Sequence, residues 1–340
     1  MTEPNLTVRL KEYLAGVQGR EVTIRGLRAE LDILQGNPAW DGIRVLMHNL
    51  AKKGIVKPSG QRDGVYKVLT PVEAVRWWDG DEGEPLDFRF PKEYDADSGF
   101  EVAVSEFGIE DCVEVFAGDF IMIAGTSNYG KTAIALSLLG ENLGLFPESR
   151  LMGSEYTASD GKISPKFKRR MGRMKWVQWI QDGKPMFELL PVGADYEDYI
   201  KSDALNLVDW ISLPGEYFLI DTVTKKMKDM VGNGVLIGVL QKNRASEWAE
   251  GGERAERYAD VCLYIDPFGD ESMLRLGKVK SPKGRATGRM WGFRIVDHGA
   301  NLRNIREIVK CPNCWGKGYT GSQNNYRKCD VCEGRKYIDK

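Results

Sequence analysis

The sequence predicts an α/β protein. A parallel-sheet core spans residues 113–300, a small helix-and-hairpin domain (1–75) and an acidic linker (76–112) precede it, and a cysteine-rich module (301–340) follows. Three observations lead there. Residues 120–124 are an apolar run that enters a glycine-bounded loop and then the apolar-rich stretch 133–139, in the order strand, loop, helix. From Val113 onward apolar strands alternate with helical stretches, which is how a parallel sheet reads in sequence. Four of the six cysteines stand near the C-terminus as two Cys-x-x-Cys pairs.

Length and composition bound the classes open to the chain. At 340 residues it is long enough for two or three domains, and 42% hydrophobic residues, 29% charged residues and a net charge of -1 describe a soluble globular protein. No apolar run reaches the length of a membrane span and the start lacks a basic-then-apolar leader, so a cytoplasmic setting without membrane contact is expected. The balanced charge conceals segregation. Residues 79–111 carry twelve Asp/Glu against two Lys/Arg, and residues 276–340 carry fifteen Lys/Arg against five Asp/Glu. The basic part fits a polyanionic partner or a solvated surface. Cys112 and Cys262 sit in apolar contexts and read as ordinary buried residues, while the clustered four point to metal in a reducing compartment.

Taken in order, Leu6, Val8, Leu10, Leu14 and Val17 recur at helical spacing. A second helix is expected over 23–34 with Thr23 as cap, and a third from Asn37-Pro38 through Ile43, Leu46, Met47 and Leu50 to Gly54. Residues 55–57 and 65–69 around a Pro58-to-Gly64 turn read as a hairpin. Three helices and a hairpin resemble a winged helix-turn-helix. That resemblance implies Trp40, Arg44, His48 and Lys52 on the DNA-facing side of the third helix, with Arg62 and Lys67 on the wing. A winged helix used for protein contact is the other reading. Residues 71–111 show no sustained period and read as a linker whose apolar residues need a docking surface, on this chain or a neighbour.

The loop Gly125-Thr126-Ser127-Asn128-Tyr129-Gly130-Lys131-Thr132 fits G-x-x-x-x-G-K-[ST] between a strand and a helix. Such a loop curls backbone amides around phosphates, aims a helix N-terminus at them, places Lys131 on the β- and γ-phosphates, and lets the Thr132 hydroxyl ligate magnesium. A strand over 150–155 is expected to end at Glu155. A basic helix from Ser164-Pro165 to about Ile180 follows, where Lys162, Lys166, Lys168, Arg169, Arg170, Arg173 and Lys175 form a solvated face or a phosphate or nucleic-acid contact. The run Tyr217-Phe218-Leu219-Ile220-Asp221 reads as a second nucleotide strand whose carboxylate, Asp221, holds magnesium. A buried strand over 235–240 ends in Gln241, and the segment after it, with Lys242 and Arg244, reads as a mobile loop. Further strands and the basic turn Lys278-Val279-Lys280-Ser281-Pro282-Lys283-Gly284-Arg285 complete the core.

Phosphate loop, Glu-ended strand, Asp-ended strand, Gln-ended strand and basic hairpin together resemble the RecA-like ATPases. The resemblance is nearest to the ATPase domain of DnaB-type replicative helicases and their phage and mobile-element relatives. It implies ATP and magnesium as cofactors, Glu155 as the base that orients water, and Gln241 as the link from the γ-phosphate to a DNA-binding loop. Lys242 and Arg244 then become candidate DNA contacts. It also implies a trans finger from Lys278, Lys280 or Arg285, where the family's Lys-x-Arg pair reads Lys278-Val279-Lys280.

Cys311-Pro312-Asn313-Cys314-Trp315-Gly316-Lys317-Gly318 and Cys329-Asp330-Val331-Cys332-Glu333-Gly334 resemble two DnaJ-type zinc repeats, the second with Lys336 where glycine is expected. Cys311, Cys314, Cys329 and Cys332 can supply four thiolates to one zinc. The functional expectation is an ATP-hydrolysing DNA motor or remodeller assembled as a ring or filament, such as a hexamer. An ATP-switched DNA-binding regulator or helicase loader, and a RadA-like recombination mediator, are the alternatives.

Overall fold

Leu10 and Leu14, four residues apart, share the face that buries helix α1 (Leu6–Gly16). Strand β1 (Glu21–Thr23) leads into α2 (Ile24–Glu30), α3 (Ala39–Lys52), β2 (Val56–Pro58) and β3 (Val65–Val68). Side chains set the helix starts: Thr23 Oγ1 accepts from the Gly26 amide at 2.9 Å and Asn37 Oδ1 from the Ala39 amide at 2.9 Å. Helix α2 stops at Glu30 rather than running to residue 34, and Asp32 follows it in the left-handed region at φ 53°. The three strands form an antiparallel sheet in the order β1-β3-β2. Leu27, Ile43, Met47 and Leu50 complete one core, each buried side chain contributing about 1.5–3 kcal/mol.

This computed structural model describes residues 5–60, 62–71, 83–158, 161–243, 246–321 and 325–340. They divide into the unit just described, Met1–Glu82, and a second, Gly83–Lys340.

The second unit opens with the hairpin β4 (Lys92–Tyr94) and β5 (Ala103–Glu106). There follow β6 (Phe120–Gly125), α4 (Lys131–Asn142), β7 (Ser149–Met152), α5 (Pro165–Met171), a two-residue pair β8 (Ile180–Gln181) and β9 (Lys184–Pro185), β10 (Phe187–Leu190), β11 (Leu205–Val208), α6 (Ile220–Met230) and β12 (Val235–Gln241). The chain continues through β13 (Val261–Phe268), β14 (Glu271–Val279), β15 (Met290–Val296), β16 (Asn301–Lys310), β17 (Tyr319–Thr320), β18 (Arg327–Lys328) and β19 (Tyr337–Asp339). One ten-stranded sheet has the order β10-β7-β11-β12-β6-β13-β14-β15-β16-β19. Its first six strands are parallel and the remaining four antiparallel. Strand β6 is buried on both faces. Ile121 and Ile123 join Ile134 and Leu138 of α4 on one side, and Phe120, Met122 and Ala124 join Ile220 and Met227 of α6 on the other.

The fold departs from the sequence expectation at four places. Residues 217–221 are not a strand. Tyr217–Leu219 is a 3-10 turn that runs into α6, whose buried Ile220, Thr224 and Met227 recur at helical spacing while Phe218 stays exposed. The described part of the acidic linker, residues 83–112, is no linker. Phe88, Phe90, Phe107, Ile109 and Cys112 are buried in the core, with Phe107 edge-on to Trp291 and Phe293. The sheet does not end at residue 300, since β16 pairs with β15 along Asn301 to Ile308 and only residues beyond Lys310 leave it. The basic helix ends at Met171, before Gly172, a residue that disfavours helix.

Candidate functional site

The parallel strands share one carboxyl edge, the place where open α/β sheets present loops to ligands. Strand β6 delivers Gly125 there and α4 begins at Lys131. Between them Gly130 adopts φ 103°, and a Cβ on it would lie 2.2 Å from Ile295 Cδ1, so only glycine fits. Lys131 Nζ donates to the Thr126 carbonyl at 3.2 Å and to Gln241 Oε1 at 3.0 Å, while Gln241 Nε2 donates to Ser127 Oγ at 2.8 Å. Gln241, at the end of β12, therefore holds both the lysine and the loop. Burial lowers the Lys131 pKa, opposed by the negative charge of Asp209, Glu155 and Glu250. Thr126 Oγ1 is buried without a hydrogen-bond partner among the described residues.

Strand β11 ends at Val208, and the next residue, Asp209, is buried. Its carboxylate accepts hydrogen bonds from the Tyr156 and Thr132 hydroxyls; burial raises its pKa, and those two bonds act in the opposite sense. The end of β7 approaches closely, because a Cβ on Gly153 would stand 2.2 Å from the Asp209 carbonyl oxygen. The 3-10 turn Ser154–Tyr156 then presents Glu155 to solvent. A cleft of about 510 Å³ is lined by Lys131, Thr132, Glu155, Lys166, Arg170 and His298 among others. Lys131, Thr132, Glu155 and Gln241 thus lie together, with Asn128 at φ 70° in the loop.

Asp221 does not stand at a strand end. It lies in the first turn of α6, ion-paired with Arg257 at 2.6 Å, and Asp209 takes the strand-end position. Asn206 hid Asp209 from sequence reading, because a polar residue interrupts Leu205-Asn206-Leu207-Val208. In the fold that amide is fully satisfied by the backbone of Lys201 and Ala204. Tyr156 gave no signal, since its role depends on a contact with Asp209 across 53 residues.

Other sequence-named residues have separate fates. Lys242 is only 3% exposed and ion-pairs with Asp266, so its charge does not face solvent as a DNA contact requires. Arg244 lies outside the described residues. Lys278 donates to the Glu256 and Arg257 carbonyls at 2.7 and 3.2 Å, and Lys280 pairs with Asp260 at 2.7 Å, so two of the three finger candidates are engaged within the chain. Arg285 is exposed. In the first unit Trp40 is half-buried under the Arg28 guanidinium, 4.0 Å above its ring. Arg44 pairs with Asp63 at 3.6 Å, and His48, Lys52, Arg62 and Lys67 are exposed.

The sulfurs of Cys311, Cys314, Cys329 and Cys332 lie within 4.8 Å of one another, at 3.8 Å for Cys311–Cys329 and 3.6 Å for Cys314–Cys332. Thiolates around a tetrahedral zinc at about 2.3 Å stand about 3.8 Å apart, so the set fits that ion. The Gly318 amide donates to Cys314 Sγ at 3.2 Å and Asn313 Nδ2 to Cys329 Sγ at 3.4 Å. The two halves repeat in backbone: φ is 52° at Trp315 and 48° at Glu333, 77° at Gly316 and 76° at Gly334, 84° at Gly318 and 75° at Lys336. Lys336 therefore occupies the left-handed position where the repeat pattern expects glycine.

No protein-family model matches the chain, and no curated protein matches it. Among solved structures, the chain is similar to a KaiC-like protein from the hyperthermophilic archaeon Pyrococcus horikoshii OT3. The two are 14% identical with a TM-score of 0.46, over 66% of this chain and 99% of that one.

Proposed function

We infer that the chain is a RecA-like, magnesium-dependent P-loop ATPase that acts on DNA. One observation carries this reading: Lys131, Thr132, Asp209, Glu155 and Gln241, from three strand ends and a helix start, converge on the carboxyl edge of the parallel sheet. The loop amides and Lys131 hold the β- and γ-phosphates, and Thr132 with Asp209 offers oxygens to magnesium, which neutralises phosphate charge when bound. Glu155 orients the attacking water. Lys166 and Arg170 add positive charge from the same chain on the cleft wall. Gln241 ties the phosphate end of the site to the loop after β12.

The DNA assignment draws on the first unit. Its order of helix, strand, two helices and two strands is that of a winged helix, with Arg44, His48 and Lys52 on the outer face of α3 and Arg62 and Lys67 on the wing. The cysteine set holds zinc, and the ATPase assembles as a homo-oligomeric ring or filament in the manner of DnaB-type helicases, for which a hexamer is the expected form. The engagement of Lys278 and Lys280 within the chain favours a second reading, an ATP-switched DNA-binding regulator or helicase loader with slow turnover.

Turnover measurements test the first claim. Lys131→Ala should abolish ATP hydrolysis, and Glu155→Gln should keep ATP binding while slowing hydrolysis about 100-fold or more. Full activity in both variants would refute the site. ATP-dependent displacement of a DNA strand supports the motor, and DNA binding with slow hydrolysis and no displacement supports the switch.

A further inference from the structure

Trp315 is 80% exposed and sits at φ 52°, a left-handed position that a bulky aromatic adopts at a cost. Neither packing nor backbone preference accounts for a tryptophan there, and the equivalent place in the second half of the module holds Glu333 at φ 48°. Trp315 shares a surface cleft of about 280 Å³ with Lys317, Tyr319 and Tyr326. The two tyrosines, 42% and 55% exposed, meet edge to face with ring centroids 4.6 Å apart. Lys317 lines the same cleft, Arg327 and Lys328 stand on β18 opposite Thr320 and Tyr319, and all three are exposed with no carboxylate ion pair among the described residues. Exposed ring faces beside unpaired cations are what unstacked bases on a phosphate backbone recognise, each stacked base adding to affinity regardless of its identity.

We propose that this face of the cysteine module binds single-stranded nucleic acid, with bases stacked on Trp315 and the Tyr319–Tyr326 pair and phosphates held by Lys317, Arg327 and Lys328. The site is separate from the ATPase cleft and needs no nucleotide. Fluorescence anisotropy of labelled oligo-dT, oligo-U and a DNA duplex with the full chain, without ATP, tests it. Trp315→Ala and Tyr326→Ala should each weaken single-strand binding about 5- to 100-fold, Trp315→Phe should restore most of it, and duplex binding should hold. Comparing oligo-dT with oligo-U shows which sugar the face prefers. Replacing Lys317, Arg327 and Lys328 together by Ala should lower the salt slope by about 2. Zinc content and basal ATP hydrolysis, read on the same samples, should match the parent, which separates this test from that of the ATPase. Unchanged single-strand affinity in both aromatic variants overturns the proposal. So does loss of binding to a denatured polypeptide with oligonucleotide binding intact, which would mark the face as a protein-binding surface.

Discussion

Asp209 and Asp221 stand twelve residues apart, each behind apolar side chains, and their surroundings give them opposite fates. Asp209 is buried between the Thr132 and Tyr156 hydroxyls beside the phosphate loop. Asp221 faces Arg257, a pair whose arginine is 56% exposed. Removing a carboxylate that completes a charge-stabilising site costs about 100-fold or more, so Asp209→Ala should reduce ATP turnover at least that much. Asp221→Ala should leave turnover within about threefold, since its carboxylate, 16% exposed, pairs with Arg257 and not with the phosphate loop. Steady-state hydrolysis of the two variants decides between them; the reverse ranking would restore magnesium binding to Asp221. At this scale the sequence made Lys131, Thr132, Glu155 and Gln241 legible because short motifs place them. Asp209 was illegible because Asn206 breaks the apolar run, and only the folded backbone shows that its amide is satisfied.

Among the elements, β6, α4, β12 and the two cysteine knuckles could be read from apolar runs and spacing, since those patterns are local. The segment 83–116 could not. It has no period, and what orders it lies far along the chain. The Asn142 side chain brackets Arg89, accepting from its amide at 2.9 Å and donating to its carbonyl at 2.8 Å, and Glu110 Oε1 accepts from the Phe90 amide at 2.7 Å. Tyr94 stacks on Trp176 at 4.8 Å. Phe90 is 1% exposed, so Phe90→Ala should destabilise this unit by about 3–5 kcal/mol in urea unfolding. In a solvated linker the same change would move stability by less than about 0.5 kcal/mol. A null effect would return the segment to that role.

For the whole second unit, one hydrogen-bonded ladder runs from the nucleotide edge to the cysteine centre: β6 pairs β13, then β14, β15, β16 and β19 follow in order. The cysteines hang between the last two of these strands. Cys311 follows β16 directly, and its amide donates to the Lys336 carbonyl just before β19 at 2.9 Å. Strand β19 pairs with β16 along Ile308 to Lys310 and is tied to the sheet by Arg306–Asp339 and Phe268–Tyr337, while the β17–β18 pair and the four sulfurs close the module beyond. The phosphate loop, Glu155, Asp209 and Gln241 stand at or just beyond the carboxyl ends of the parallel strands β6, β7, β11 and β12, and their hydrogen-bond partners among the described residues lie outside the cysteine module. Metal and catalysis should therefore separate. If the four sulfurs hold zinc as proposed, a strong chelator should release it, expose four titratable thiols and abolish the proposed single-strand binding by this face, while basal ATP hydrolysis stays within about twofold because the module supplies no residue to the cleft beside the phosphate loop. Thiol titration, anisotropy and turnover on one chelated sample check all three. Hydrolysis that falls in step with zinc loss would mean that the antiparallel half of the sheet transmits strain to the phosphate loop, and Ile295 of β15 against Gly130 is the contact through which it would pass.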